Sequence, residues 1–182
     1  MAEIILPKPL LRGTETTRSI QDIMRKREPE YEHMFHGADE GLEHLAHFYI
    51  PPFQRPAVWT IEQKQRLIES MWLGISIGKI AVSAEGRFDH KTGKYSPAAD
   101  YLIDGQQRLR AIKSYQEEGM RVFLGTESEH CWDELSVVQR RKFNGISVGM
   151  VMIEDDFDLD ALKETYNRLN FGGTAHTEDQ RA

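Results

Sequence analysis

The residues best equipped for chemistry in this chain stand together at Asp104-Gly105-Gln106-Gln107-Arg108. An apolar, strand-like run, Tyr101-Leu102-Ile103, stops at Asp104-Gly105, and a helix-like pattern begins straight after it. Leu109, Ile112 and Tyr115 or Gln116 recur at the spacing of one helical face. A strand feeding a helix through a glycine turn gathers several unpaired backbone N–H groups at one point. The helix dipole adds partial positive charge there, so the position favours an anion. Gln106, Gln107 and Arg108 put two amides and a guanidinium fork in the same first turn, where they can grip phosphate oxygens. Asp104 is able to bind Mg²⁺ through its carboxylate. It is equally able to cap the helix and position Arg108. The plainer alternative for the whole motif is an ordinary helix start with solvated polar residues.

Two other segments carry candidate ligands. Tyr49 to Thr60 holds three prolines (Pro51, Pro52, Pro56) and three aromatics (Tyr49, Phe53, Trp59), so it reads as an extended, stiff loop. Such a loop is suited to delivering Gln54 and Arg55 to a neighbouring anion site; otherwise both are solvated while Phe53 and Trp59 pack inward. Asn167 and Asn170 are three apart and share a helical face, and Gly172-Gly173 would allow close backbone approach. Their alternative is a helix end followed by a loose turn. His33, His36, His44 and His47 also pair at helical spacing, but no cysteine or carboxylate set accompanies them, and no metal site is expected there.

The elements that must position these groups follow from periodicity and punctuation. Thr16 or Thr17 is predicted to cap a helix through Ser19 to Arg25, ended before Pro29. Glu30 to His47 is predicted partly helical, broken near Gly37 and Gly41. Thr60 and Gln63 form a capping box for a helix over Ile61 to Trp72, closed by Gly74 and Gly78. Lys79 to Ser83 reads as a strand, and Phe88 to Ala99 as a hairpin tip. A helix ending near Gly119 follows the Asp-Gly turn. Then come a strand at Met120 to Leu124, a helix from Trp132 to Phe143, a strand from Ile146 to Ile153 and a helix from Asp158 to Asn170. Thr177-Glu178-Asp179-Gln180 is a capping box near the chain end, fitting either a helical stub or the leading part of a larger design. This order implies an α+β fold, a compact mixed sheet flanked by helices. Residues 1–47 are expected to form a helical N-terminal extension and 48–182 the domain proper.

Composition limits the function. At 182 residues, 40% apolar and 29% charged, the chain has room for one domain with a real core. A net charge of −6 disfavours coating nucleic acid by overall charge. A local basic run, Arg140-Arg141-Lys142, is the best candidate for DNA phosphate contact, against a solvated helix end. The single cysteine, Cys131, excludes an intrachain disulfide framework. No run approaches the ~18 apolar residues of a membrane span, and the N-terminus lacks a secretion signal, so a cytoplasmic protein without membrane contact is expected.

Three motifs in order, Pro52-Phe53-Gln54-Arg55-Pro56-Ala57-Val58-Trp59, Asp104 to Arg108, and Asn167 to Thr174 with Gln180-Arg181, resemble the DUF262 family. This is the N-terminal domain of GmrSD-type restriction proteins, of the ParB/sulfiredoxin-like superfamily, and the resemblance covers residues 48 to 182. It implies a nucleoside triphosphate and Mg²⁺ as cofactors, with Gln54, Arg55, Gly105, Gln106, Gln107, Arg108, Asn167 and Asn170 binding nucleotide. Asp104, Gln107 and Arg108 would be catalytic, with Asp104 also the metal ligand. The implied setting is DNA restriction, defence or counter-defence, with a larger restriction-type protein as partner. No His-Asn-His nuclease pattern follows here, so cutting by such a domain is not expected. Gln106 stands where sulfiredoxin carries its catalytic cysteine, and Cys131 is far along the chain. Two alternatives remain: a regulatory module that binds nucleotide or DNA phosphate without turnover, and a nuclease of ParB-like fold resting on Asp100 and Asp104.

Overall fold

A computed structural model describes residues 13–26, 41–83, 88–91, 93–95, 100–153 and 159–171. Its centre is a four-stranded sheet in the order β1 (Gly13–Ser19), β8 (Ser147–Ile153), β4 (Lys79–Ser83), β7 (Leu102–Asp104). β4 and β8 run parallel and the other two pairings are antiparallel, so the sheet is mixed. Two-stranded ribbons accompany it: β2 (His44–Leu45) with β3 (Phe48–Tyr49), and β5 (Phe88–Asp89) with β6 (Lys94–Tyr95). The helices are α1 (Ile20–Ile23), α2 (Ile61–Trp72), α3 (Gln106–Glu117), α4 (Val137–Asn144) and α5 (Leu159–Phe171).

Strand alternation sorts the sheet into two faces. Ile80, Val82, Leu102, Val148 and Met150 join the main core with Ile68 and Met71 of α2, Leu109, Ile112 and Tyr115 of α3, and Phe143 of α4. Ala81, Ile103 and Ile153 point the other way, into a smaller cluster with Tyr49, Tyr101, and Leu162 and Tyr166 of α5. The result is an α+β fold, a mixed sheet flanked by helices, as the element order implies.

Four local expectations change. Residues 13–19 form a strand where a helix cap at Thr16 or Thr17 is expected, because this segment, with β-branched Thr14, Thr16 and Thr17, pairs along its whole length with β8. Ser19 is the cap instead, accepting the Asp22 N–H at 3.1 Å, and the helix has only four residues. Met120 to Leu124 is not a strand: Val122 makes one bridge to His130, and Phe123 turns into the left-handed region at φ 55°. The Glu69 carboxylate holds that turn by accepting the Phe123 N–H at 2.7 Å. The helix expected over Trp132 to Phe143 divides at Leu135, whose extended backbone separates a 3₁₀ turn (Trp132–Glu134) from α4. Ser136 and Gln139 give α4 its own capping box. The helical character expected of residues 30–47 is replaced at His44–Tyr49 by the β2–β3 ribbon; residues 27–40 lie outside the described set.

Candidate functional site

The turn from β7 into α3 is built around Gly105. Its φ of 108° lies where L side chains rarely go, and an added Cβ would sit 2.6 Å from Ile80 Cγ2. Glycine therefore lets α3 start directly above β4. The caps then differ. Side chains close α1, α2 and α4 through Ser19, Thr60 and Ser136, whereas α3 has no side-chain cap. Among the described residues the backbone N–H groups of Gln106, Gln107 and Arg108 have no acceptor. These are orphan donors at the positive end of a twelve-residue helix.

Residues 51–60 wrap this turn and are tied to three elements. The Gln54 side-chain amide donates to the Leu102 carbonyl and, at 3.4 Å, to the Ile103 carbonyl, joining the loop to β7. The Arg55 N–H donates to the Tyr166 hydroxyl at 3.2 Å, joining it to α5. The Trp59 N–H donates to Gln107 Oε1 at 3.3 Å, and Gln107 Nε2 donates to the Pro56 carbonyl at 3.5 Å. Phe53 packs edge-on to Tyr166 with centroids 5.8 Å apart.

A recess of about 120 Å³ opens between these pieces, lined by Gln54, Arg55, Trp59, Ile103, Tyr166 and every residue from Asp104 to Arg108. Arg108 Nη1 donates to the carbonyls of Ile77 (3.0 Å) and Lys79 (2.7 Å), and Nη2 pairs with Asp104 at 2.6 Å. The guanidinium thus ties the α3 start to the entry of β4. Gly78 leaves room for it, since a Cβ there would lie 3.1 Å from Nη1. Gln106 is 8% exposed and its side-chain amide has no hydrogen-bond partner among the described residues.

Seven of the eight residues expected to bind nucleotide need placing at this recess, and six line it: Gln54, Arg55, Gly105, Gln106, Gln107 and Arg108. Asn167 does not. It follows Tyr166 by about 100° of helical rotation and is exposed on α5. The eighth, Asn170, belongs to α5, but its side chain lies outside the description, as do Gly172 to Thr174, His176 and the capping box at 177–180. Tyr166 was missing from the expected set. Its signal was the apolar spacing with Leu162 on the inner face of α5.

Asp104 is the one carboxylate lining the recess, and Asp100 is not among the lining residues. Among the described residues no group of three or more histidine, cysteine or carboxylate side chains is arranged for a metal. This donor set does not make a resident cage. It fits a Mg²⁺ ion carried mainly by ligand phosphates, which needs only one or two protein carboxylates. His44 packs edge-on to Tyr49, and His47 Nδ1 lies 3.2 Å from the Arg25 carbonyl; His33 and His36 lie outside the described residues. In the basic run, Arg140 bonds the Asp133 carbonyl at 2.9 Å and lies over the Trp132 ring, while Arg141 and Lys142 are exposed at the last turn of α4. No described helix is long and apolar enough to cross a membrane.

The geometry defines a class: an α+β domain whose strand–glycine–helix turn presents N–H donors to a small polar recess. The family model for the N-terminal domain of the GmrSD restriction endonuclease matches residues 31–148, and the chain belongs to that family. No curated protein and no solved structure matches the chain.

Proposed function

We propose that the recess binds the phosphate end of a nucleoside triphosphate with Mg²⁺ and that the domain hydrolyses it, in a DNA restriction or counter-restriction setting inside the cytoplasm. One observation carries this reading: the uncapped start of α3 and the unpartnered Gln106 amide open into the same recess. Its volume of about 120 Å³ lies below the roughly 300–1,000 Å³ of clefts that bury most of a drug-sized ligand, which suits phosphate groups rather than a whole nucleotide. The nucleoside would then lie outside, along the stiff loop at 52–60. Backbone N–H groups at Gln106 to Arg108 and the Arg55 guanidinium would stabilise charge on the transferring phosphoryl group. Bound Mg²⁺ would supply further neutralisation, with Asp104 as its protein ligand. Membership of the GmrSD N-terminal family supports the restriction setting. The strand–glycine–helix device supports placing the fold in the ParB/sulfiredoxin-like superfamily. DNA is proposed as a partner through exposed Arg141 and Lys142, and a larger restriction-type protein as a second.

A second reading, nucleotide sensing without turnover, is favoured by the Asp104–Arg108 pair. The one carboxylate in the recess is engaged by a guanidinium, which leaves no evident general base for water. Titration of ATP, GTP, CTP and UTP with Mg²⁺, following binding and phosphate release together, separates the readings. Release that falls about tenfold or more in Arg55→Ala, equivalent to about 1.4 kcal/mol, establishes the enzyme. Binding without release establishes the sensor. Absence of binding by all four removes both.

A further inference from the structure

The motif Asp104 to Arg108 presents three long polar side chains in succession, and the structure gives them different work. Gln107 is 9% exposed, and both ends of its amide are engaged by the loop backbone, at Trp59 N–H and the Pro56 carbonyl. Arg108 is held by two carbonyls and one carboxylate, which together engage three of its five N–H donors. Gln106, equally buried, has no hydrogen-bond partner among the described residues and lines the recess.

We infer a division of labour that rests on the phosphate reading: Gln106 is the motif side chain that touches the ligand, and Gln107 and Arg108 are positioning residues. The Gln106 NH₂ group carries two donors, which phosphate oxygens satisfy together with the orphan N–H groups of the first turn. Gln107 holds the loop at 56–59 against α3, and with it the Arg55 side of the recess. Arg108 fixes the start of β4 relative to α3 and holds Asp104 in place. Arg108 already commits three of its N–H donors to holding the protein together, whereas Gln106 gains its first partner.

The test is an NMR titration of the whole chain with inorganic tripolyphosphate and, separately, ATP with Mg²⁺, reading side-chain amide and guanidinium signals. The Gln106 NH₂ signals are expected to move on binding, while those of Gln107 stay. The Arg108 Nη signals are expected to exchange slowly already without ligand. In parallel, Gln106→Ala is expected to weaken tripolyphosphate binding about tenfold or more without lowering the thermal midpoint, and Gln107→Ala to lower the midpoint. If Gln106→Ala fails to fold, the wild-type signals decide. Tight binding that shifts Gln107 or Arg108 and leaves Gln106 unmoved overturns the division but keeps the phosphate reading. Failure of both probes to bind the wild type overturns the two together.

Discussion

Asp104 closes a strand and Arg108 lies one turn into the helix that follows, yet their side chains meet at 2.6 Å across the glycine between them. The Arg108 side chain is 16% exposed, and its guanidinium reaches on to the carbonyls of Ile77 and Lys79. The pair is therefore a joint between β7, α3 and the entry of β4, and its loss is a stability event first.

Removing the guanidinium leaves a half-buried carboxylate and two carbonyls without their donor. Arg108→Ala is expected to lower unfolding free energy by about 2 to 4 kcal/mol, the range for losing charged hydrogen bonds in a partly buried pair. Urea denaturation measures it. A change below about 0.5 kcal/mol would show that the pair behaves as an ordinary surface ion pair and that the joint is elsewhere.

Gly105 makes a sharper demand than the other left-handed glycines. Gly119, at φ 71°, has nothing within 4 Å of an added Cβ, so Gly119→Ala should cost only backbone strain, about 1 to 2 kcal/mol. Gly105→Ala adds a clash with the Ile80 side chain at 2.6 Å, and overpacking of that kind contributes about 1 to 3 kcal/mol more. Comparing the two thermal midpoints checks the argument. Equal losses would mean that Ile80 moves aside at little cost and that the α3 start is less fixed than the geometry implies.

The parts of this fold that local rules govern were legible in the residues. The Thr60–Gln63 box, the glycines at 74 and 78, and the Asp-Gly turn placed α2, β4 and α3 close to where the structure has them. Elements set by tertiary partners were not legible. Residues 13–19 are a strand because β8 lies alongside them, and Phe123 leaves the extended region because Glu69 on α2 holds its N–H. The site divides the same way. The family resemblance and the proline-stiffened loop grouped Gln54, Arg55 and Gly105 to Arg108, which line one recess, but could not say which amide is engaged by backbone and which is left over. That depends on where Pro56 and Trp59 fall, 51 and 48 residues away in the chain from Gln107.

Below the site, Tyr115 ties the main core together through its hydroxyl. It accepts from the Trp72 indole N–H at 3.1 Å and lies 2.8 Å from His130 Nε2, while His130 Nδ1 lies 2.7 Å from the Ser128 carbonyl. A carbonyl only accepts, so Nδ1 is the donor and Nε2 of the neutral ring receives the Tyr115 proton. Burial pushes the phenol up to about 12, partly opposed by the Trp72 hydrogen bond. The folded state thus keeps a proton that the unfolded chain releases near pH 10. Stability from this source is fully present below pH 10 and is lost as pH rises towards 12. Tyr115→Phe is expected to cost about 1 to 2 kcal/mol at neutral pH by leaving two half-buried partners unpaired, and to remove this part of the alkaline loss. Denaturant midpoints of both proteins, measured from pH 8 to 12, test the two effects together. Identical alkaline profiles would show that the Tyr115 proton is not linked to folding, and that the hydroxyl contributes only its neutral hydrogen bonds.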